Sequence, residues 1–544
     1  MRLKAAKSLA FSCIMRYNMS MRNATFPEES ARDYLAEINS LKATIIELER
    51  LVQYYQTQFL MAKRRQFGSS SEKADVDGQQ LSFLDKTEAA PPPILLEEIK
   101  YKRKKRKGKR EADLTGLPVK RIDYEIDSSE RSCPECGETM RDIGVDVRRE
   151  LELIPARVIV VEHAAHAYAC QDCNKNRDKT PILKAKAPSP LLCGSLVSAS
   201  LAAHIATQKY DNAMPLYRLE KGFAYDGVHV SRQNMANWVI KCSELYLDRI
   251  YDRLKDQLLA ESVLHVDETT HQVLREPGRP AQSKSYEWIY RTSGCAKKKV
   301  IIYDYKETRR QEHPQTFLKS FKGYLHTDGY QVYHNLPPGI VVVGCWAHLR
   351  RKWENLYKTI PEEKRKDTSA ARGMAYISAL FAMERKFQNM SPQERYQARL
   401  EKSKPVQEAF FAWAGTLREL PKSALGDAVG YMFSQRKHLE NIYLDGRLEF
   451  TNNRAERSVK PFVMGRKNWL FSNTPAGAKA SSVMYSIIET AKENGLHPRR
   501  YIEHLLKLLP DDPTIDIDSL LPWSAELPDS CRLQGSEMHT IGKK

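Results

Sequence analysis

Ser262-Val-Leu-His-Val-Asp-Glu-Thr269 is the stretch whose reading decides the fold. Upstream, residues 194–259 read as helices, and at 262 the periodicity changes to the apolar, β-branched run of a strand. Four further runs read the same way: Tyr286–Tyr290, Lys299–Tyr303, Gly323–His326 and Ile340–Val343. A mixed sheet of five such strands followed by helices predicts an α/β core of the ribonuclease-H-like kind, with a helical insertion at about 360–440. The pattern puts Asp267 at the end of the first strand and Asp328 just after the fourth, positions adjacent in space in such a fold. Glu456 opens a segment that reads as a helix. Two aspartates on strand ends and a glutamate on a helix suit two hard divalent cations, which prefer oxygen ligands. Paired ions about 3.5–4 Å apart serve phosphoryl transfer. A single Asp after a strand is ordinarily a turn or a helix cap, so the weight lies in finding three carboxylates in one domain.

The rest of the chain points to a polyanion. Of 544 residues, 86 are Lys or Arg against 68 Asp or Glu, a net charge of +18. A solvated basic surface accounts for part of this excess, and a nucleic-acid partner accounts for it better. Lys100-Tyr-Lys-Arg-Lys-Lys-Arg-Lys-Gly-Lys-Arg110 concentrates the charge. So dense a run self-repels and suits contact with a phosphate backbone, with Lys102, Arg103, Lys104, Lys105 and Arg106 at its centre. Before it, Tyr34, Ile38, Leu41, Ile45, Leu48, Val52, Tyr55 and Phe59 keep an a/d heptad spacing. A helix with that seam either finds a second copy, making a homo-oligomer, or packs on its own domain. Cys133-Pro-Glu-Cys136 and Cys170-Gln-Asp-Cys173 supply four thiolates for one tetrahedral, structural zinc. β-like stretches at 150–153, 158–161 and 163–169 predict a hairpin between the knuckles. Cys13, Cys193, Cys242, Cys295, Cys345 and Cys531 have no ligand spacing. Ser231 is a good N-cap for a helix that starts with Arg232-Gln-Asn, and the preceding helix ends near Gly222. The pair suits a helix-turn-helix or a plain helical connector.

Some classes are excluded. No apolar run approaches the roughly 20 residues of a membrane span. The patch Leu9–Met15 is too short and interrupted for a signal peptide. Two Cys-x-x-Cys pairs without disulfide density fit a reducing compartment, so a cytoplasmic protein is expected. The chain has no Gly-x-Ser-x-Gly elbow of a serine esterase.

Several motifs stand in one order: His265-Val-Asp-Glu-Thr269, His326-Thr-Asp-Gly-Tyr330, Cys345-Trp-Ala-His-Leu-Arg-Arg-Lys-Trp353, Asn452-Asn-Arg-Ala-Glu-Arg457, Gly465-Arg-Lys-Asn-Trp-Leu-Phe471 and Ser486-Ile-Ile-Glu-Thr-Ala-Lys-Glu-Asn-Gly495. Together with Arg65-Gln-Phe-Gly-Ser-Ser-Ser-Glu-Lys73 and the knuckles, they resemble transposases of the insertion sequence 66 family. The resemblance implies an Asp-Asp-Glu triad of Asp267, Asp328 and Glu456, served by magnesium or manganese. It also implies a zinc-binding segment, and accessory proteins from the same element. The expected activity is metal-dependent cleavage at element ends and strand transfer into target DNA. A structure-selective nuclease and a non-catalytic DNA-binding regulator are the alternatives. His348, Arg350, Arg351, Arg457 and Lys460 are candidate DNA contacts, although the first three equally suit a structural strand end with basic flanks. Thr270 stands where proline is common, and Ser472–Ala480 carries less charge than the family leads one to expect.

The expected order is a leucine-zipper-like helix (30–66), linker and basic run (67–112), zinc segment (120–185) and helical DNA-binding region (190–259). The catalytic core (260–475), a C-terminal helical element (476–510) and a poorly ordered tail (511–544) follow.

Overall fold

The structure is a computed structural model that describes residues 39–42, 44–45, 48, 158–169, 182–185, 187–418 and 423–533. Most of the heptad helix, the basic run, Cys13 and the four knuckle cysteines lie outside the described residues. The rest divides into two compact units, one from residues 158–313 and 455–533 and one from 314–454.

In the first unit, strand β1 (Ala167–Ala169) pairs antiparallel with β2 (Ile182–Lys184). β1 stands just before Cys170 and β2 follows Cys173, so the described pairing spans the second knuckle. Residues 150–157, where the hairpin expected between the knuckles begins, lie outside the described residues. Val158–Val161, expected as a strand, has no strand pairing and is exposed, with Val160 at 89%. Helices α1 (Ala199–Tyr210), α2 (Leu216–Tyr225), α3 (Arg232–Cys242) and α4 (Asp248–Leu259) follow. Ser231 caps α3 as its sequence predicts, its Oγ accepting from Asn234 N at 3.1 Å. An antiparallel meander comes next: β3 (Val263–Gln272), β4 (Lys284–Thr292) and β5 (Ile301–Lys306). β3 extends past its predicted end, so Asp267 sits mid-strand, opposite Ile289. The cause is the partner, since β4 keeps pairing through Gln272↔Lys284 and β-branched Thr269 and Thr270 suit the extended chain.

The second unit holds a parallel pair, β6 (Gly323–Thr327) and β7 (Ile340–Gly344). Helix α5 (Trp346–Thr359) follows, and α6 (Ser369–Phe387), α7 (Lys404–Gly415) and α8 (Ala424–Ser434) lie within the stretch 360–440 that the sequence reads as helical. Their core is aromatic: Trp353, Tyr376, Phe410 and Trp413 stack with centroids 5.2–6.2 Å apart. Gly373 lets α6 lie directly on Trp353, because any Cβ there would overlap the indole ring.

The first unit is completed by α9 (Asn453–Trp469), α10 (Pro475–Glu493) and α11 (Pro498–Leu508). Every residue of α10 from Ala480 to Ala491 is buried, which a helix meets only inside a core. It covers the edge of β5. Ser486 Oγ accepts from Tyr303 N at 2.8 Å, Thr490 Oγ1 accepts from Ile301 N at 3.0 Å, and Asn494 donates to Lys299 O at 2.7 Å. Residues 511–533 pack against this unit, contrary to the expectation of a poorly ordered tail. Leu520, Leu521 and Leu527 are buried, and Asp518 takes a two-pronged ion pair from Arg253 at 2.6 and 2.7 Å.

Thr490→Val, which keeps the volume and removes the hydroxyl, leaves a buried strand N–H without its acceptor. Each of Thr490→Val and Ser486→Ala therefore lowers stability by about 1–3 kcal/mol in urea unfolding.

Candidate functional site

Strand alternation sorts the two adjacent acids of β3. On one face, Thr269 Oγ1 accepts from Arg466 of α9 at 3.2 Å, and the His271 ring lies 4.9 Å from Phe462 of α9. His265 pairs with Arg291, whose guanidinium donates to Ser458 of α9 at 2.7 Å. Residues 265, 269 and 271 thus share the face that carries α9, and by alternation Asp267 belongs to it. Glu268 belongs to the other face, where Arg309 Nε donates to its carboxylate at 2.8 Å. Glu268 is engaged in that ion pair, and on the α9 face Asp267 Oδ1 accepts from Glu268 N at 2.9 Å.

Helix α9 turns Ala455, Ser458, Phe462 and Gly465 inward, leaves Asn453 and Glu456 half-buried, and exposes Arg457 and Lys460. Gly465 meets Trp469 and Tyr485 so closely that a Cβ would overlap both. Arg466 also donates to the hydroxyl and carbonyl of Thr270. A proline at 270 would lack that hydroxyl, so the departure noted in the sequence is an anchor here. The second departure behaves similarly. Ser472 Oγ lies 2.9 Å from His271 Nε2, and His271 Nδ1 lies 3.1 Å from Glu287, which also accepts from Ser482. Burial pushes the Glu287 carboxyl up, opposed by its hydrogen bond and charge interaction with His271.

In the second unit, Asp328 follows β6 as predicted. Gly329 adopts φ +90°, and its amide plane is held by two side chains that sequence reading missed. Tyr431 Oη donates to Asp328 O at 3.0 Å, and Gln435 donates to Gly329 O at 3.4 Å. Burial first, then the neighbouring Cys345 and Asp328, pushes the Tyr431 phenol up, so it remains a donor at neutral pH. Its only sequence signal is the i, i+4 spacing of Tyr431 and Gln435 in the insertion. The Asp328 carboxylate accepts from Tyr330 N at 2.9 Å. The Cys345-Trp346 pair fixes the loop before α9: Cys345 Sγ accepts from Asn452 N at 3.1 Å, and the Trp346 ring stacks on Phe450 at 5.0 Å. On α5, His348 is half-buried, Arg350 lies over the Phe381 ring at 5.1 Å and Arg351 is exposed.

Cys193 and Cys295 are exposed, while Cys345, Cys531 and Cys242 are buried, the last with its thiol pushed up to about 12 by burial. None of these five forms a disulfide.

Comparison with known proteins fits this arrangement. Residues 194–480 match the model described as Transposase IS66 family. The chain belongs to that family. Residues 130–174 match the zinc-finger binding domain of transposase IS66, a span containing all four knuckle cysteines and supporting a structural zinc. Residues 486–523 match the IS66 C-terminal element and 55–122 the Transposase C of IS166 homeodomain. Among relatives in Sinorhizobium fredii, the uncharacterized protein y4qI is 30% identical over 403 residues, covering 70% of this chain and 71% of that one. The uncharacterized protein y4jD is 27% identical over 528 residues, covering 93% and 98%. A transposase role with DNA binding follows from the family, and no helix among the described residues is long and apolar enough to cross a membrane.

Two outcomes test the local analysis. Gly329→Ala adds a Cβ 2.9 Å from Tyr431 Oη at a positive φ and so displaces Asp328. Transposition falls about 10²-fold while circular dichroism stays unchanged. Metal analysis of the purified chain finds about one zinc per molecule, lost in Cys133→Ser and in Cys170→Ser.

Proposed function

We propose that this transposase is of the Asp-Asp-Glu type, with a ribonuclease-H-like core in which Asp267, Asp328 and Glu456 form the catalytic triad. The observation that carries the reading is the alternation of β3, which gives Asp267 to the face lined by the helix of Glu456 and gives Glu268 to Arg309. Three carboxylates would suit a hard cation, which prefers oxygen ligands. Magnesium or manganese held there would supply Lewis-acid polarisation of the scissile phosphate.

The reaction has two displacements. Water attacks a phosphodiester at the element's end, the phosphorus–oxygen bond to the neighbouring nucleotide breaks, and a 3′-hydroxyl is released. That hydroxyl then attacks a target phosphodiester, forming one phosphorus–oxygen bond as another breaks. No covalent bond to the enzyme is required, so the side chains act by positioning and by charge. Exposed Arg457 and Lys460, one and four residues beyond Glu456, bind flanking phosphates, as does Arg351. Arg350 and His348 of α5 are further DNA contacts in this reading.

The N-terminal segments serve assembly. Residues 30–66 form a homo-oligomer through the heptad seam, a reading supported by the exposure of helical Leu41, Ile45 and Leu48. The basic run at 100–110 holds DNA without sequence choice, residues 190–259 form a DNA-binding region, and accessory proteins of the same element complete the machinery. The compartment is the cytoplasm.

Strand transfer on labelled element-end DNA with magnesium tests the triad. Asp267→Asn, Asp328→Asn and Glu456→Gln lose joined product but still bind DNA, whereas Glu268→Gln keeps joining. Joining at the wild-type rate by Asp328→Asn would refute the assignment.

A further inference from the structure

We infer that α3 is the sequence-reading helix of this transposase, entering the major groove of duplex DNA at the element's end with Gln233, Asn234 and Asn237 toward the base edges. The inference rests on the transposase reading above and adds what selects the DNA.

The argument begins with the two faces of α3. Met235, Val239 and Cys242 are buried, at 0%, 3% and 0% exposure. They anchor the helix against α1 and α2 of the same unit. The opposite face shows Arg232, Gln233, Asn234, Asn237 and Lys241, all exposed. Its first acid is Glu244, already paired with Lys241 at 2.9 Å. An exposed helix normally gains solubility from carboxylates and lysines. A stripe of amides adds no net charge, yet it matches base edges well. A carboxamide offers one donor and one acceptor side by side, the complement of adenine N7 and N6.

The mounting suits insertion. The turn 226–231 reverses the chain at Gly227, φ +75°, and Val228 N returns to Phe223 O at 2.8 Å. Glu220 of α2 accepts from Arg232 N at 3.0 Å, which ties the start of α3 to the preceding helix. Gln233 Nε2 donates to Asn237 Oδ1 at 3.2 Å, so the two amides are pre-aligned along one stripe.

Charge complementarity identifies the occupant. At the N-terminal end of α3, Tyr217 is exposed and carries two cations, with Lys221 Nζ 4.8 Å and the Arg232 guanidinium 5.6 Å from its ring centroid. Such a cluster at a groove rim meets backbone phosphates, while the amide stripe faces inward. The run at 100–110 cannot do this job, since a row of point charges meets phosphates of every sequence alike. A transposase must distinguish its own ends from all other DNA, and a rigid helix with fixed donors and acceptors provides that distinction.

The test is selection of a random duplex library by the full chain. The wild type enriches one motif. The triple variant Gln233→Ala, Asn234→Ala, Asn237→Ala enriches none, and binds the wild-type motif at least about tenfold more weakly while holding random duplex as well as before. Arg232→Ala with Lys221→Ala weakens both duplexes equally and leaves the motif unchanged. Asn234→Gln shifts preference at one position, a change that a merely structural role would not produce. If the triple variant, folded by circular dichroism, enriches the wild-type motif with undiminished affinity, α3 is not the reader. A wild type that binds and joins DNA but enriches no motif also overturns the inference and leaves the transposase reading intact. A wild type that neither binds nor joins any duplex overturns both.

Discussion

The edge of β5 is the constraint from which the larger unit is built. A strand edge carries unpaired N–H and C=O groups, and burying it without partners is prohibitive. Here a helix supplies the partners in place of a further strand. Ser486, Thr490 and Asn494 recur every four residues and meet Tyr303, Ile301 and Lys299, which recur every two. Four helical residues rise about 6.0 Å and two strand residues about 6.6 Å, so the ladders stay in step over three rungs. The match forces α10 deep into the core, which explains its small and hydroxylated residues. From there Ser482 reaches Glu287, and Tyr485 receives Gly465 of α9. The position of the helix bearing Glu456 is thus inherited from the edge that α10 covers.

Polar groups inside this unit are tied in chains. Arg291 bridges Ser458 of α9 and Glu493 of α10, the latter at 3.1 Å. Ser472, His271, Glu287 and Ser482 form a second chain from β3 to α10. The first chain joins the strand layer to both helices and the second joins it to α10, so breaking one member strands the others in a medium of low polarity. The smaller unit follows the same rule with Arg399, which is 2% exposed and held by Glu384 and the carbonyl of Leu448. Removing one partner of such a pair leaves a charge that water cannot reach.

Much of this was legible in the sequence, for reasons particular to each element. The strands announced themselves through β-branched and aromatic runs, and Ser231 announced α3 because a capping hydroxyl acts locally. Asp328 was placed correctly because Gly329 punctuates the end of β6. The extent of β3 was not legible, since it depends on what β4 does twenty residues later. Residues 511–533 look polar, and their order comes from buried leucines and from contacts such as Arg253–Asp518 whose partners lie far away in sequence. Tyr431 and Gln435 were invisible for the same reason. Their importance is set by the Asp328 loop, about a hundred residues upstream.

The opposed destinies of Asp267 and Glu268 make the strand behave like a reading frame. Two neighbouring acids differ by one methylene, yet alternation sends one to the face of α9 and the other to Arg309. A single inserted or deleted residue between Val263 and Asp267 would exchange them. The longer acid would then stand on the α9 face and the shorter one beneath the guanidinium. Such a frameshift in space would leave the Asp-Glu pair itself untouched, and would still undo the geometry. Length variation in this lineage is therefore expected in the turns that flank β3, and absent from the strand itself.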